Sequence, residues 1–153
     1  MHSSRGIWIG FVISGLFFGL IVMSVVAAFT GSEVLSGIFK TVCHQFDYRC
    51  YHIDGVAMAV CVRCVWIYFG LAVGHTLFIY WKPKIKRITS ALIGVLALML
   101  FDVVLELLGV YHNWFLSRAV TGFLVGLTVS HFTLLGLQGL YLEFKNSKTY
   151  VRS

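Results

Sequence analysis

Apolar residues run along this chain in four long blocks, parted by short polar stretches. Block 7–29 carries no charge, block 56–81 carries Arg63, block 88–110 carries Asp102 and Glu106, and block 119–144 is uncharged up to Glu143. A helix needs about 20 predominantly apolar residues to cross the hydrocarbon of a bilayer, so each block is long enough. The blocks are continuous rather than alternating, which argues against a membrane β-barrel. The pattern predicts an all-α integral membrane four-helix bundle, one polytopic domain over residues 1–153 with spans at about 7–29, 56–81, 88–110 and 119–144. The first block has Arg5 before it and Ala27 and Ala28 near its end, as a secretory signal would. A signal's apolar core is about 7–15 residues, however, so a retained span is expected.

Composition supports the same class. Hydrophobic residues make up 59% of the chain, charged residues 12%, and the mean hydropathy is +0.88. Soluble domains carry about 25% charged residues. The deficit excludes a water-soluble globule, a disordered tail, a coiled coil and a separate soluble catalytic domain. Basic residues set the direction of insertion. Arg5, Lys82, Lys84, Lys86, Arg87, Lys145, Lys148 and Arg152 fall on one side, against Lys40, Arg49, Arg63 and Arg118 on the other. The positive-inside rule then places both termini in the cytoplasm and the loop 30–55 outside a cell membrane crossed several times. The pI near 9.3 needs no nucleic acid, because the cations at 82–87 serve as a topology anchor beside anionic lipid. Glycines four apart at Gly15/Gly19, Gly70/Gly74 and Gly122/Gly126 predict close helix packing and permit a homo-oligomer. The tail 146–153 is short and polar, and is expected to fray.

The candidate chemistry gathers at the outward end. Cys43, Cys50, Cys61 and Cys64 lie within 22 residues, and His44, Asp47, Arg49, His52 and Asp54 share the same segment. In a helix, Cys61 and Cys64 at i, i+3 would share one face. Such a pair can chelate one ion or form one disulfide. With Cys43 and a fourth donor from His44, His52 or Cys50, the set would satisfy zinc or another thiophilic metal such as copper(I). Structural disulfides and an exchanging dithiol are the alternatives, since the outward side is oxidising and four cysteines allow three pairings.

A second group lies in the spans. Asp102 and Glu106 share a helix face at i, i+4, and Arg63 and Arg118 are expected at the same depth. Ionised groups in hydrocarbon cost about 2.5–3.5 kcal/mol on insertion scales, so they should face inward and pair. Asp102 is expected to pair with Arg63 or Arg118. The bland role is to lock helices together. The sharper role is a pocket in which Asp102 or Glu106 acts as acid/base while Arg63 and Arg118 bind a phosphate or carboxylate. His75 and His131 lie deeper and are expected to make interhelical hydrogen bonds, although as a pair they could relay protons. His112 and Asn113 would cap the fourth helix or lid the site. No GxxxxGK[ST], GxGxxG or HExxH motif occurs, so no nucleotide site is expected.

Cys43-His44-Gln45, Arg49, Gly55, Cys61-Val62-Arg63-Cys64 and Ile67-Tyr68-Phe69-Gly70, with Asp102, Arg118, Gly122 and Gly126 further on, carry a family resemblance. The chain resembles a prokaryotic family of small membrane proteins known only as a domain of unknown function, numbered twenty eighty-five. The likeness runs from about Val42 to Gly126. Three positions depart from the family pattern: Cys50 stands where serine is usual, Ala59 replaces proline and Trp66 replaces glycine. The resemblance implies that the shared chemistry needs Cys43, Cys61, Cys64 and His44, with Cys50 an extra. Three cysteines cannot all pair, so the resemblance favours a metal or redox site over two structural disulfides. It brings no activity with it.

The combined reading is a four-helix membrane protein in contact with lipid. Its outward metal site would use Cys43, His44, Cys61 and Cys64, and the site would lie above an Asp/Arg pocket that acts on a lipid or quinone. The rivals are a thiol–disulfide exchange protein and a non-catalytic transporter or assembly subunit.

Overall fold

The computed structural model describes residues 4–81, 84–109 and 114–150. His112 and Asn113, expected as a cap or lid, lie outside the described residues. The chain is all-α in class, with four helices long and apolar enough to cross a membrane. Helix α1 (Ser4–Thr30) ends where Gly31 takes a φ of +62°, a left-handed stop that a residue with a Cβ resists. Helix α2 (Glu33–Lys40) begins at Ser32, whose hydroxyl accepts the Leu35 N–H at 3.4 Å. A 3-10 turn (Asp47–Arg49) leads into strands β1 (Cys50–Ile53) and β2 (Val56–Cys61). Then come α3 (Val62–Tyr80), α4 (Ile85–Leu107) and α5 (Phe115–Tyr150). The segment 146–150, expected to fray, continues α5 as helix.

The start of the second span differs from the hydropathy reading. Val56–Cys61 is strand, not helix, and α3 begins only at Val62. The cause is local: Asp54 and Gly55 both have positive φ, at 49° and 81°, and close a two-residue hairpin that pairs Ile53 with Val56. Asp-Gly is favoured in that turn because both central residues must be left-handed. A six-residue apolar run reads equally as strand or helix to a hydropathy average. The remaining 19 residues of α3, at about 1.5 Å each, still span close to 30 Å.

Helices α3 and α5 form the central pair. Gly70 and Gly74 of α3 meet Phe123, Leu127 and Ser130, while Gly122 and Gly126 of α5 meet the backbone of Arg63, Ile67 and Leu71. The two small-residue faces interlock, as their spacing predicts. Helix α1 packs on α3: Ser14 Oγ donates to the Ala72 carbonyl at 2.8 Å and lies 3.1 Å from Thr76 Oγ1. Gly15 and Gly19 do not take part, because a Cβ at either would meet nothing within 4 Å. Helix α4 packs on α5, and Asp102 is its buried residue among those described. Helix α2 and the hairpin cover the end of the bundle where α1 stops and α3 begins. Ala27, Phe39, Cys43, Ala59 and Val60 form a small core there.

Candidate functional site

Three sulfurs converge at the hairpin end. The Sγ atoms of Cys43, Cys61 and Cys64 all lie within 4.8 Å of one another. Cys61 is the N-cap of α3 and Cys64 sits in its first turn, so the pair meets across a strand-to-helix junction rather than along one helix. Their sulfurs are 3.5 Å apart, well beyond the roughly 2.05 Å of an S–S bond, and all four cysteines are free thiols. Sulfur ligands set tetrahedrally about 2.3 Å from a common zinc lie about 3.8 Å apart. The 3.5 Å between Cys61 and Cys64 is near that distance, and a small side-chain shift would bring Cys43, within 4.8 Å of both, onto the same ion.

Local structure favours thiolate at Cys43. The Cys61 backbone N–H donates to Cys43 Sγ at 3.2 Å. Hydrogen bonds from the Cys61 and Cys64 thiols, helped by the Cys61 and Gln45 backbone N–H groups, hold the Cys43 thiol far below its ordinary range. Burial, reinforced by the negative charge at Cys43 and Cys61, pushes Cys50 the other way, up to about 11.

Gln45 holds the loop that delivers Cys43. Its φ is +50°, and its side-chain amide donates to the Ser36 carbonyl at 2.8 Å and to the Ala59 carbonyl at 2.6 Å. It thus ties the end of α2 to β2. The pairing register shifts between Cys50 and His52, so that Cys50 comes opposite Cys61. The bulge also turns Met58, Ala59 and Val60 inward in succession. In the sequence Gln45 is marked only by its motif, since its partners are nine and fourteen residues away.

His44, expected as the fourth ligand, stands outside the three-sulfur group. Its side chain is exposed and its ring stacks on Phe46, with centroids 5.9 Å apart. His52 is also exposed and lies 3.0 Å from Asp47 Oδ1.

The ionic layer lies on the other face of α3. Arg63 Nη2 donates to Asp102 Oδ2 at 3.0 Å, and Ser117 Oγ donates to Asp102 Oδ1 at 2.8 Å. Glu106 Oε1 accepts from Arg118 and, at 3.1 Å, from Arg49. All four span residues named from the sequence are thus brought together, and Asp102 and Arg118 are each only 5% exposed. Arg49, counted from the sequence only as a loop charge and a motif position, is the fifth member. Its guanidinium also lies over the Phe46 and Tyr48 rings, 5.2 and 4.9 Å from their centroids. No local signal marks it, because Glu106 is 57 positions away. Each acid is already engaged by arginine, so the layer is built as paired ions.

Of the deeper histidines, His75 is fully buried. Its Nδ1 lies 2.6 Å from the Leu71 carbonyl and its Nε2 lies 2.8 Å from Thr133 Oγ1 on α5. His131 packs edge-on against Phe78 at 5.2 Å. His75 therefore bridges helices through Thr133.

Two comparisons bear on this arrangement. The model of a family described as a predicted membrane protein (DUF2085) matches residues 43–132, which takes in the three sulfurs and all five members of the ionic layer. The uncharacterized protein MJ1492 of Methanocaldococcus jannaschii is 34% identical over 122 residues, covering 74% of this chain and 76% of that protein. No solved structure matches the chain.

Proposed function

The chain belongs to the DUF2085 family of predicted membrane proteins, and on that footing we propose that it carries a thiolate metal centre at the outer face of the cell membrane. Cys43, Cys61 and Cys64 hold one thiophilic ion, zinc being the natural candidate for such a donor set. One observation carries the reading: three sulfurs mutually within 4.8 Å, with a backbone N–H aimed at Cys43. The outward assignment follows from Lys84, Lys86 and Arg87 gathering at the start of α4, the end away from the hairpin. His44 can join the ligand set only by leaving its stack on Phe46.

In this reading the ionic layer acts as a clasp. Arg63 and Arg118 grip Asp102 and Glu106, and Arg49 ties the loop to α4. Acid–base work by Asp102 or Glu106 on a lipid or quinone, with Arg63 and Arg118 binding its anionic part, would require these pairs to open first. The open face at Gly15 and Gly19 leaves α1 room for a second copy of the chain.

Thiol–disulfide exchange is the second reading, favoured by the 3.5 Å approach of Cys61 and Cys64 at a helix N-terminus. Their two thiols would be oxidised to a disulfide as a partner's disulfide is reduced to two thiols. Metal analysis and thiol counting on the purified protein separate the two. The metal centre requires about one ion per chain, lost in Cys61→Ser and Cys64→Ser variants. Metal-free protein that traps a mixed disulfide when Cys64 is replaced by serine would overturn it.

A further inference from the structure

A single ion bound by Cys43, Cys61 and Cys64 would have three sulfur ligands, and a tetrahedral ion needs a fourth donor. Three nearby side chains have the chemistry. His44 is exposed and stacked on Phe46, and His52 is exposed and paired with Asp47. Cys50 is different: it is 0% exposed, and its pairing partner across the hairpin is Cys61 itself. Residues directly opposite in an antiparallel pair have Cβ atoms about 4.5–5.5 Å apart on the same face, within reach of a shared ion. Cys50 Sγ stands outside the three-sulfur group and donates to the Phe46 carbonyl at 3.3 Å; thiols are weak donors, so that hydrogen bond costs little to give up when the side chain turns toward the ion.

We propose that Cys50 is the fourth sulfur of the centre, making it a closed tetrathiolate site for a soft divalent ion such as zinc. The proposal rests on the metal-centre reading above and goes further by naming the complete ligand set. The register makes it possible: without the bulge between Cys50 and His52, Cys50 would face a residue of β2 that carries no ligand. Four thiolates around a divalent ion leave a charge of −2. The N-terminus of α3 at Cys61 and Cys64 and the N–H donors at Cys43 supply partial positive charge against it. A closed set leaves no position for substrate, so the ion serves as a structural clip. It would pin the segment after α2, both strands and the first turn of α3 to one point.

The test is cobalt(II) substitution in the purified full-length chain, kept reduced, reading the sulfur-to-cobalt charge-transfer absorption. The wild type should bind about one equivalent with tetrahedral spectra, and Cys50→Ser should keep about three quarters of the charge-transfer intensity. His44→Ala should leave it unchanged. X-ray absorption on the wild-type cadmium form should count four sulfurs, which keeps the proposal testable if Cys50→Ser misfolds. Full intensity in Cys50→Ser, or a three-sulfur shell in the wild type, overturns Cys50 as ligand and leaves the metal reading standing. A wild type that binds no cobalt overturns both.

Discussion

Replacing Gly122 by alanine tests the packing that brings the ionic layer and the sulfur site into register. A Cβ at Gly122 would stand 2.6 Å from the Arg63 carbonyl oxygen and 3.4 Å from the Arg63 Cα. Carbon–oxygen contacts of this kind close at about 3.3 Å, so α3 and α5 must part by about 0.7 Å at this level. The oxygen belongs to a helix backbone and cannot swing aside. Overpacking of that order costs about 1–3 kcal/mol. Gly19→Ala is the matched control, since a Cβ there meets nothing within 4 Å and alanine is the better helix former. Both variants would be unfolded in detergent and followed by circular dichroism. Gly122→Ala should lose about 1–3 kcal/mol, and each kcal/mol is worth about 2–4 °C in Tm for a chain of this size. Gly19→Ala should match the wild type or exceed it slightly. A Gly122→Ala protein as stable as the wild type, or an equal loss in both variants, would refute the interlocked glycine faces.

Asp102→Asn leaves the Arg63 guanidinium, whose side chain is 15% exposed, without its counter-charge and should cost about 3–5 kcal/mol. Arg49→Gln removes a side chain that is 32% exposed and leaves Glu106 its Arg118 partner, so it should cost no more than about 1 kcal/mol; the same unfolding assay would count against the clasp if the order were reversed. Gln45→Ala strips the Ser36 and Ala59 carbonyls of their side-chain donor and should cost about 1–3 kcal/mol. Hydrogen exchange should then quicken in the hairpin and not between α3 and α5, and uniform protection would show that Gln45 does not hold the loop.

Much of the frame is readable along the chain because its causes are local. Each span declares itself through a run of apolar residues, and the Gly70/Gly74 and Gly122/Gly126 pairs mark the faces that meet. The hairpin was equally readable from Asp54-Gly55, but a hydropathy average absorbed Val56–Cys61 into the following helix. Gly15 and Gly19 show the limit of spacing arguments: the same pattern stands at a face that packs on nothing within the chain.

The candidate site divides along the same line. Asp102, Glu106, Arg63 and Arg118 had to pair with something because charge in hydrocarbon is costly, whatever the fold. Which arginine meets which acid, and that Arg49 joins them from the loop, depends on how α4 lies against α5.

Composition and hydropathy alone make this a membrane protein of four spans, because transfer into a bilayer sums over residues without regard to their partners. The meeting of Cys43 with Cys61 and Cys64, the stacking of His44 on Phe46 and the placing of Cys50 opposite Cys61 were decided in three dimensions. They turn on a left-handed Gln45 and a shifted strand register, and ligand geometry changes with each ångström of backbone, where hydrophobicity does not.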